Sequence, residues 1–256
     1  MAVNYCYKRG IIMQHYFLNQ SLEVGDQLEL PTEIKKHWLR VMRAEKGSKA
    51  EFVANNQLIY IGELIDEQNG KIELIKKIEH NVELPFAVTI ACGLPKNGKA
   101  ELIVQKATEM GVNTIIFLPT DWSVAKWNQK AVKKVDRLQK IAKSAAEQSH
   151  RNLIPKVMYL DGLNKLCEIP ANQKVVAYEE SAKHGESSNL VKVVNSLDKG
   201  EKLLAFFGPE GGISPDEISK LKDMNFTLVG LGPRILRNES APLYFLSAVS
   251  ALSELK

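Results

Sequence analysis

Residues 202–217 read KLLAFFGPEGGISPDE. The first six, apolar apart from Lys202, have the length and near-continuous hydrophobicity of a strand buried on both faces. Ser214, Pro215 and Glu217 then spell a helix start: a capping hydroxyl, a proline at the first helical position and a glutamate at N3 closing a capping box. GPEGG, residues 208–212, is therefore a turn from strand to helix. In open α/β sheets such turns lie at the carboxyl ends of the strands, where ligands bind and glycine lets the main chain come close to them. The spacing matches neither G-x-x-x-x-G-K-[ST] nor G-x-G-x-x-G, and Glu210 would repel a nucleotide's phosphates. By itself the turn fits a ligand cradle or a purely structural bend equally well.

The same rhythm runs back and forward along the chain. Strands are expected at AVTIACGL (87–94), NTIIFLP (113–119), KVVAYEE (174–180), KLLAFFG (202–208) and FTLVGLG (226–232). Helices are expected over residues 98–111, 127–149, 213–224 and 240–255, with Gly111 able to terminate the first. Alternation of this kind predicts a parallel sheet covered on both faces. Upstream the pattern is shorter and strand-like: HYFL (15–18), DQLEL (26–30), AEFVANN (50–56), LIYIGELI (58–65) and KIELIKKI (71–78). This predicts a small β-barrel or sandwich, interrupted by a helix over 32–47 with Thr32 as N-cap and Gly47 beyond its end. NVELPFA (81–87) reads as the linker, giving a small domain over 1–80 and a larger one over 81–256.

Composition narrows the function classes. The chain has 256 residues, 25% of them charged, with no apolar run long enough to span a membrane and no secretory leader in its first residues. A cytoplasmic location is expected. Cys6, Cys92 and Cys167 are far apart and form no C-x-x-C pair, which argues against a zinc site or a disulfide framework. The net charge of +4 hides an asymmetry: residues 1–84 hold 11 Lys/Arg against 12 Asp/Glu, and the remainder 23 against 18. The excess gathers at Lys126, Lys130, Lys133, Lys134, Arg137, Lys140 and Lys143, opposed there only by Asp136. Such a stripe is either a solvated helix face or a surface for a phosphate backbone.

A second glycine turn follows the last strand. LGPRILRNESA, residues 231–241, passes Gly232, Arg234 and Arg237 to a final helix expected to begin at Ser240, with Pro242 in its first turn. Two adjacent strand ends are thus expected to present bare main chain and no metal ligands, a slot better suited to a purine ring or thioether than to a triphosphate. GPEGGISPDE followed by LGPRILRNESA resembles the signature of SPOUT-class methyltransferases that modify N3 of a uridine in small-subunit (16S) ribosomal RNA. The resemblance extends through HWLRVMRAEKG (37–47), QKATEMGV (105–112), SVAKW (123–127) and AAEQSHRNLIPKV (145–157), and so covers nearly the whole chain.

The resemblance implies an α/β fold in which an N-terminal PUA-like β-barrel precedes a SPOUT domain with a trefoil knot. It implies S-adenosylmethionine as cofactor, ribosomal RNA or the small ribosomal subunit as partner, a homodimer, and no metal or membrane. Carried onto this sequence, the cofactor residues are Tyr178, Glu179, Gly208, Pro209, Glu210, Gly211, Gly212, Leu231, Gly232, Ile235 and Leu236. Arg234 and Arg237 are candidates to stabilise an imide anion. Glu239 either accepts the proton, pairs with Arg237 or caps the last helix. For RNA the candidates are His15, Arg40, Arg43, Gln148 and Arg151. Two departures stand out: His15 and Trp122 occupy positions where the family commonly has arginine, and residues 1–12 read as an extension before MQHYF. Trp122 is suited either to stacking a base or to packing. The alternative function is a non-catalytic ribosomal RNA-binding or assembly factor.

Overall fold

The computed structural model describes residues 13–96, 98–178 and 189–255. Two compact units emerge: residues 13–82 with 147–153, and residues 83–146 with 154–255. The proposed extension, residues 1–12, lies outside the described residues.

In the first unit β1 (Gln14–Phe17), β2 (Gln27–Glu29), β3 (Lys49–Val53), β4 (Ile59–Asp66) and β5 (Lys71–Ile78) form a sheet in the order β1-β3-β4-β5-β2. β1 and β3 run parallel and the other pairs antiparallel. Alternation along β3 to β5 turns Phe52, Leu64, Ile72 and Leu74 into the core, where Tyr16 stacks on Phe52 at 5.9 Å and Trp38 meets it edge-on at 5.8 Å. The expected helix is shorter than its pattern. α1 (Thr32–Lys35) becomes a π-helix over Lys36–Val41, and Arg43 breaks the run with φ +55°. Thr32 is not its cap: Pro31 holds the N-cap position in an extended conformation and contributes no side-chain bond. A proline there already leaves the first turn pre-set, so the threonine falls inside the helix.

The second unit carries a sheet of β6 (Ala87–Gly93), β7 (Thr114–Leu118), β8 (Lys156–Tyr159), β9 (Gln173–Ala177), β10 (Lys202–Phe207) and β11 (Thr227–Val229). All its pairings are parallel, in the order β11-β9-β10-β6-β7-β8. Among the described residues its α-helices are α2 (Lys99–Glu109), α3 (Ala131–Gln148), α4 (Asn189–Asn195), α5 (Pro215–Asp223) and α6 (Ser240–Glu254). One core layer unites Ile90, Ile103, Phe117, Phe207 and Phe245, and another unites Ala91, Ile116, Phe206, Ile218 and Leu221. Successive residues of β6, β7 and β10 therefore serve opposite faces, which is why their sequences are apolar without interruption. β8 was not foreseen, because its four residues are only partly buried beyond Val157.

One expectation about this sheet is overturned. β10 and β11, which lead into the two glycine turns, are not adjacent: β9 lies between them. Sequence order suggested neighbours, but β9, formed earlier in the chain, pairs with both.

Candidate functional site

The local chemistry of the first turn follows the sequence closely. Ser214 Oγ accepts from the Glu217 main-chain N–H at 3.1 Å, and Glu217 Oε2 accepts from the Ser214 N–H at 3.0 Å, completing the capping box. Asp121 locks the box from outside: its Oδ2 accepts from Ser214 Oγ at 2.5 Å, while its N–H donates to Glu217 Oε1 at 2.9 Å. The turn before it leaves no freedom of residue choice. A Cβ on Gly211 would lie 2.9 Å from both the Cβ and the carbonyl oxygen of Trp122, and Gly212 has φ +86°. Only glycine fits the first without a backbone shift and the second without strain.

The turns after β10 and β11 line one cavity of about 800 Å³, together with Ala177 and Tyr178 at the end of the intervening strand β9. Of the cofactor residues expected from sequence, Tyr178, Gly208, Pro209, Glu210, Gly211, Gly212, Leu231, Gly232, Ile235 and Leu236 all line it. Glu179 lies outside the described residues. Arg234 and Arg237 line the same cavity and are exposed. Trp122 forms part of the wall, 47% exposed.

A residue not foreseen ties the two turns together. Lys99, the first residue of α2, places Nζ 3.1 Å from Glu210 Oε1 of the first turn and 2.9 Å from Glu239 Oε2 of the second. It also donates to Asn238 Oδ1 at 3.2 Å. Hydrogen bonds to Glu239 and then Glu210 hold the ammonium above its ordinary pKa. Burial alone would raise the Glu239 carboxyl, but the bond from Lys99 and its charge outweigh this and hold it below the usual range. Glu210 behaves alike: burial is opposed by the Lys96 main-chain N–H, at 3.1 Å, and by Lys99. Glu239 thus makes its close ion pair with Lys99, while the charge of Arg237 also favours its carboxylate, and though it occupies the N-cap position of α6 its side chain makes no capping bond. The available signal was positional: Lys99 opens the helix that follows β6, at the ligand-binding end of the sheet.

The residues expected to meet RNA divide by exposure. Arg40, Arg43 and Gln148 are exposed. His15 and Arg151 are buried, at 4% and 2% exposure. His15 Nδ1 lies 2.8 Å from Glu51 Oε2, and its Nε2 lies 2.9 Å from the carbonyl oxygen of Arg151. Both ring nitrogens are therefore engaged inside the first unit. On the basic stripe Lys133, Lys134, Arg137 and Lys140 are exposed, with Arg137 3.4 Å from Glu101 and Lys134 Nζ 5.2 Å from the Trp127 ring centre. Cys92 is buried and Cys167 exposed. Among the described residues no helix is long and apolar enough to cross a membrane.

A family model described as an RNA methyltransferase domain matches residues 82–250. The chain is 41% identical over 251 residues to ribosomal RNA small subunit methyltransferase E of Bacillus subtilis, covering 95% of this chain and 98% of that one. It is 30% identical over 242 residues to the protein of the same name from Buchnera aphidicola, covering 92% and 94%. Its structure superimposes on that of a ribosomal RNA small subunit methyltransferase E from Neisseria gonorrhoeae bound to S-adenosyl methionine, with a TM-score of 0.81 and 25% identity over 94% of this chain and 98% of that one.

Proposed function

Since the chain belongs to the RNA methyltransferase family, we propose that it transfers the methyl group of S-adenosylmethionine to N3 of a uridine in small-subunit (16S) ribosomal RNA. The observation that carries this reading is the single cavity lined by both glycine turns. Its volume of about 800 Å³ lies within the usual range for small-molecule sites. Four glycines (Gly208, Gly211, Gly212 and Gly232) line it, Lys99 in its lining is paired with two carboxylates, and Glu210 stands where a polyphosphate would be repelled. These features fit a nucleoside bearing a sulfonium and do not fit a triphosphate.

S-adenosylmethionine supplies an electrophilic methyl group at that position. The main chain of residues 208–212 and 231–236 holds it, with Tyr178 packing from the end of β9. Uracil N3 must lose its proton, which passes to solvent, before its lone pair can form the bond to the methyl carbon as the carbon–sulfur bond breaks and S-adenosylhomocysteine leaves, and the developing imide anion needs a cation beside it. Arg234 and Arg237 supply that charge. Lys99 engages Glu210 and Glu239 at the edge of the same cavity that the two guanidinium groups line. Glu239 thereby has a structural role. The target base must leave any stack to reach the cavity.

The first unit, residues 13–82 with 147–153, acts as the PUA-like RNA-binding domain expected over 1–80, with Arg40, Arg43 and Gln148 presenting charge and polarity to RNA. His15 and Arg151 support that surface from inside. The segment from β10 to α6 forms the trefoil knot of the family, a reading supported by β9 lying between two strands that follow it in sequence. Exposed Ile235, Trp122 and Tyr244, at 75%, 47% and 42%, favour a homodimer completed around the site. The enzyme works in the cytoplasm on the ribosomal subunit. A non-catalytic assembly role is not favoured, because the extensively matched relatives are methyltransferases by name.

The test is to incubate the chain with methyl-labelled S-adenosylmethionine and either small ribosomal subunits or naked ribosomal RNA, then to digest the RNA and identify the labelled nucleoside by mass spectrometry. N3-methyluridine at one position is expected; label in any other nucleoside, or none, refutes the assignment. Arg237→Ala should retain cofactor binding and lose turnover. Unchanged turnover would remove Arg237 from the mechanism.

A further inference from the structure

His15, Glu51 and His150 lie far apart in sequence, yet one nitrogen of each imidazole and one carboxylate oxygen fall within 4.8 Å of one another. His15 Nδ1 is 2.8 Å and His150 Nδ1 2.7 Å from the same oxygen, Glu51 Oε2. We propose that these three residues form a binding site for one divalent transition-metal ion of the zinc class, independent of the methyl-transfer cavity.

The argument begins with the proton count on His15. Its Nε2 faces the Arg151 carbonyl at 2.9 Å, and a carbonyl can only accept, so Nε2 carries a proton. A neutral imidazole then presents a bare lone pair at Nδ1, directed at Glu51. The same carboxylate oxygen also faces His150 Nδ1 at 2.7 Å, so both imidazoles converge on one acceptor atom. Lone pair facing lone pair at 2.8 Å requires a positive charge between them. A second proton on His15 satisfies that one pair. A metal ion satisfies both imidazoles and the carboxylate together, and Nε2–H on a backbone carbonyl is the outer bond that commonly fixes the tautomer of a metal-ligating histidine.

The donor set has the right chemistry. Two imidazole nitrogens and one carboxylate oxygen are the ligands of many three-residue zinc sites, in which the fourth position is left to water. His15 and Glu51 are shielded, with side chains 0% and 8% exposed, while His150 is 34% exposed and gives an entry path. The present spacing is that of hydrogen bonds. Zinc bonds of about 2.0–2.1 Å at tetrahedral angles need ligand atoms roughly 3.3 Å apart, so each imidazole must part from Glu51 Oε2 by about half an ångström, His150 by swinging outward and His15 through a shift of the Glu51 side chain. Nδ1 protons displaced by the ion pass to solvent. The ion would join β1, β3 and the segment 147–153 within the first unit, closing a loop of about a hundred residues. The cysteine pattern, which argued against zinc, is silent about such a site because no thiolate takes part.

The experiment uses the full chain freed of metal with a chelator and titrated with Co(II) and, separately, Zn(II). About one ion per chain is expected, with the visible bands of a four-coordinate nitrogen and oxygen site, no thiolate band from exposed Cys167, and a higher Tm with Zn(II). His15→Arg keeps a cation beside Glu51 while removing a ligand, and His150→Asn keeps a residue that tolerates φ +54°. Both should stay folded by circular dichroism and lose the Co(II) bands. Absence of stoichiometric binding by the wild type, or binding unchanged in both variants, overturns the site and leaves a hydrogen-bonded triad only.

Discussion

Replacing Lys99 by methionine removes a cation shared by the two turns and leaves Glu210 and Glu239 without their ion-pair partner at the cavity edge. The side chains involved are partly shielded, 27% exposed for Lys99, 22% for Glu210 and 15% for Glu239, so each pair is worth somewhat more than a fully exposed one. Exposed pairs contribute about 0.2–1 kcal/mol, and two of them plus the Asn238 bond give roughly 1–2 kcal/mol of coupling between the turns. Calorimetry with S-adenosylmethionine should therefore find the affinity of Lys99→Met lowered roughly 5–30-fold. The wild-type advantage should shrink in high salt, which screens these pairs. It also has a pH window. The folded-state pKa values of Glu210 and Glu239 are depressed, so their contribution to stability is present above the ordinary 4.5 and is lost as pH falls through the folded values. That of Lys99 is raised, so its contribution is lost only as pH climbs beyond the ordinary 10.5. A Lys99→Met protein that binds cofactor within about twofold of wild type at low salt would refute the reasoning, since the turns would then hold each other without the bridge.

Gly211→Ala forces a methyl group against the Trp122 carbonyl oxygen at 2.9 Å; cofactor affinity should fall at least tenfold, by roughly 1.4 kcal/mol or more, while urea unfolding changes little. Ser214→Ala removes the cap of α5 and leaves Asp121 without its 2.5 Å donor, so urea unfolding should show a loss of about 1–2 kcal/mol. An unchanged midpoint would mean that water replaces the hydroxyl at no cost. Burial pushes the Cys92 thiol far above its ordinary pKa, whereas Cys167 is exposed. Iodoacetamide followed by peptide mass mapping should modify Cys167 in the native protein and reach Cys92 only on unfolding; rapid native labelling of Cys92 would show that its strand is not held as described.

Local rules govern whatever could be read without the fold. The capping box at Ser214, the start of α6 at Ser240, the strand identity of KLLAFF and both glycine turns follow from the preferences of neighbouring residues, and these act within a few positions of the chain. The family resemblance named the cavity wall, because the two turns are contiguous motifs. Tertiary structure alone decided which strand ends are neighbours. It set β9 between β10 and β11, giving Tyr178 its place between the turns. It also brought Lys99 to Glu210 and Glu239 across more than a hundred residues, a partner outside the three roles the sequence offered for Glu239. Residues 147–153 return to the first unit, carrying His150 to Glu51 and His15. No periodicity in the sequence records such meetings. Hydrogen bonds and ion pairs act over about 3 Å in space whatever the separation along the chain, and only the packed sheets and helices determine which distant residues come that close.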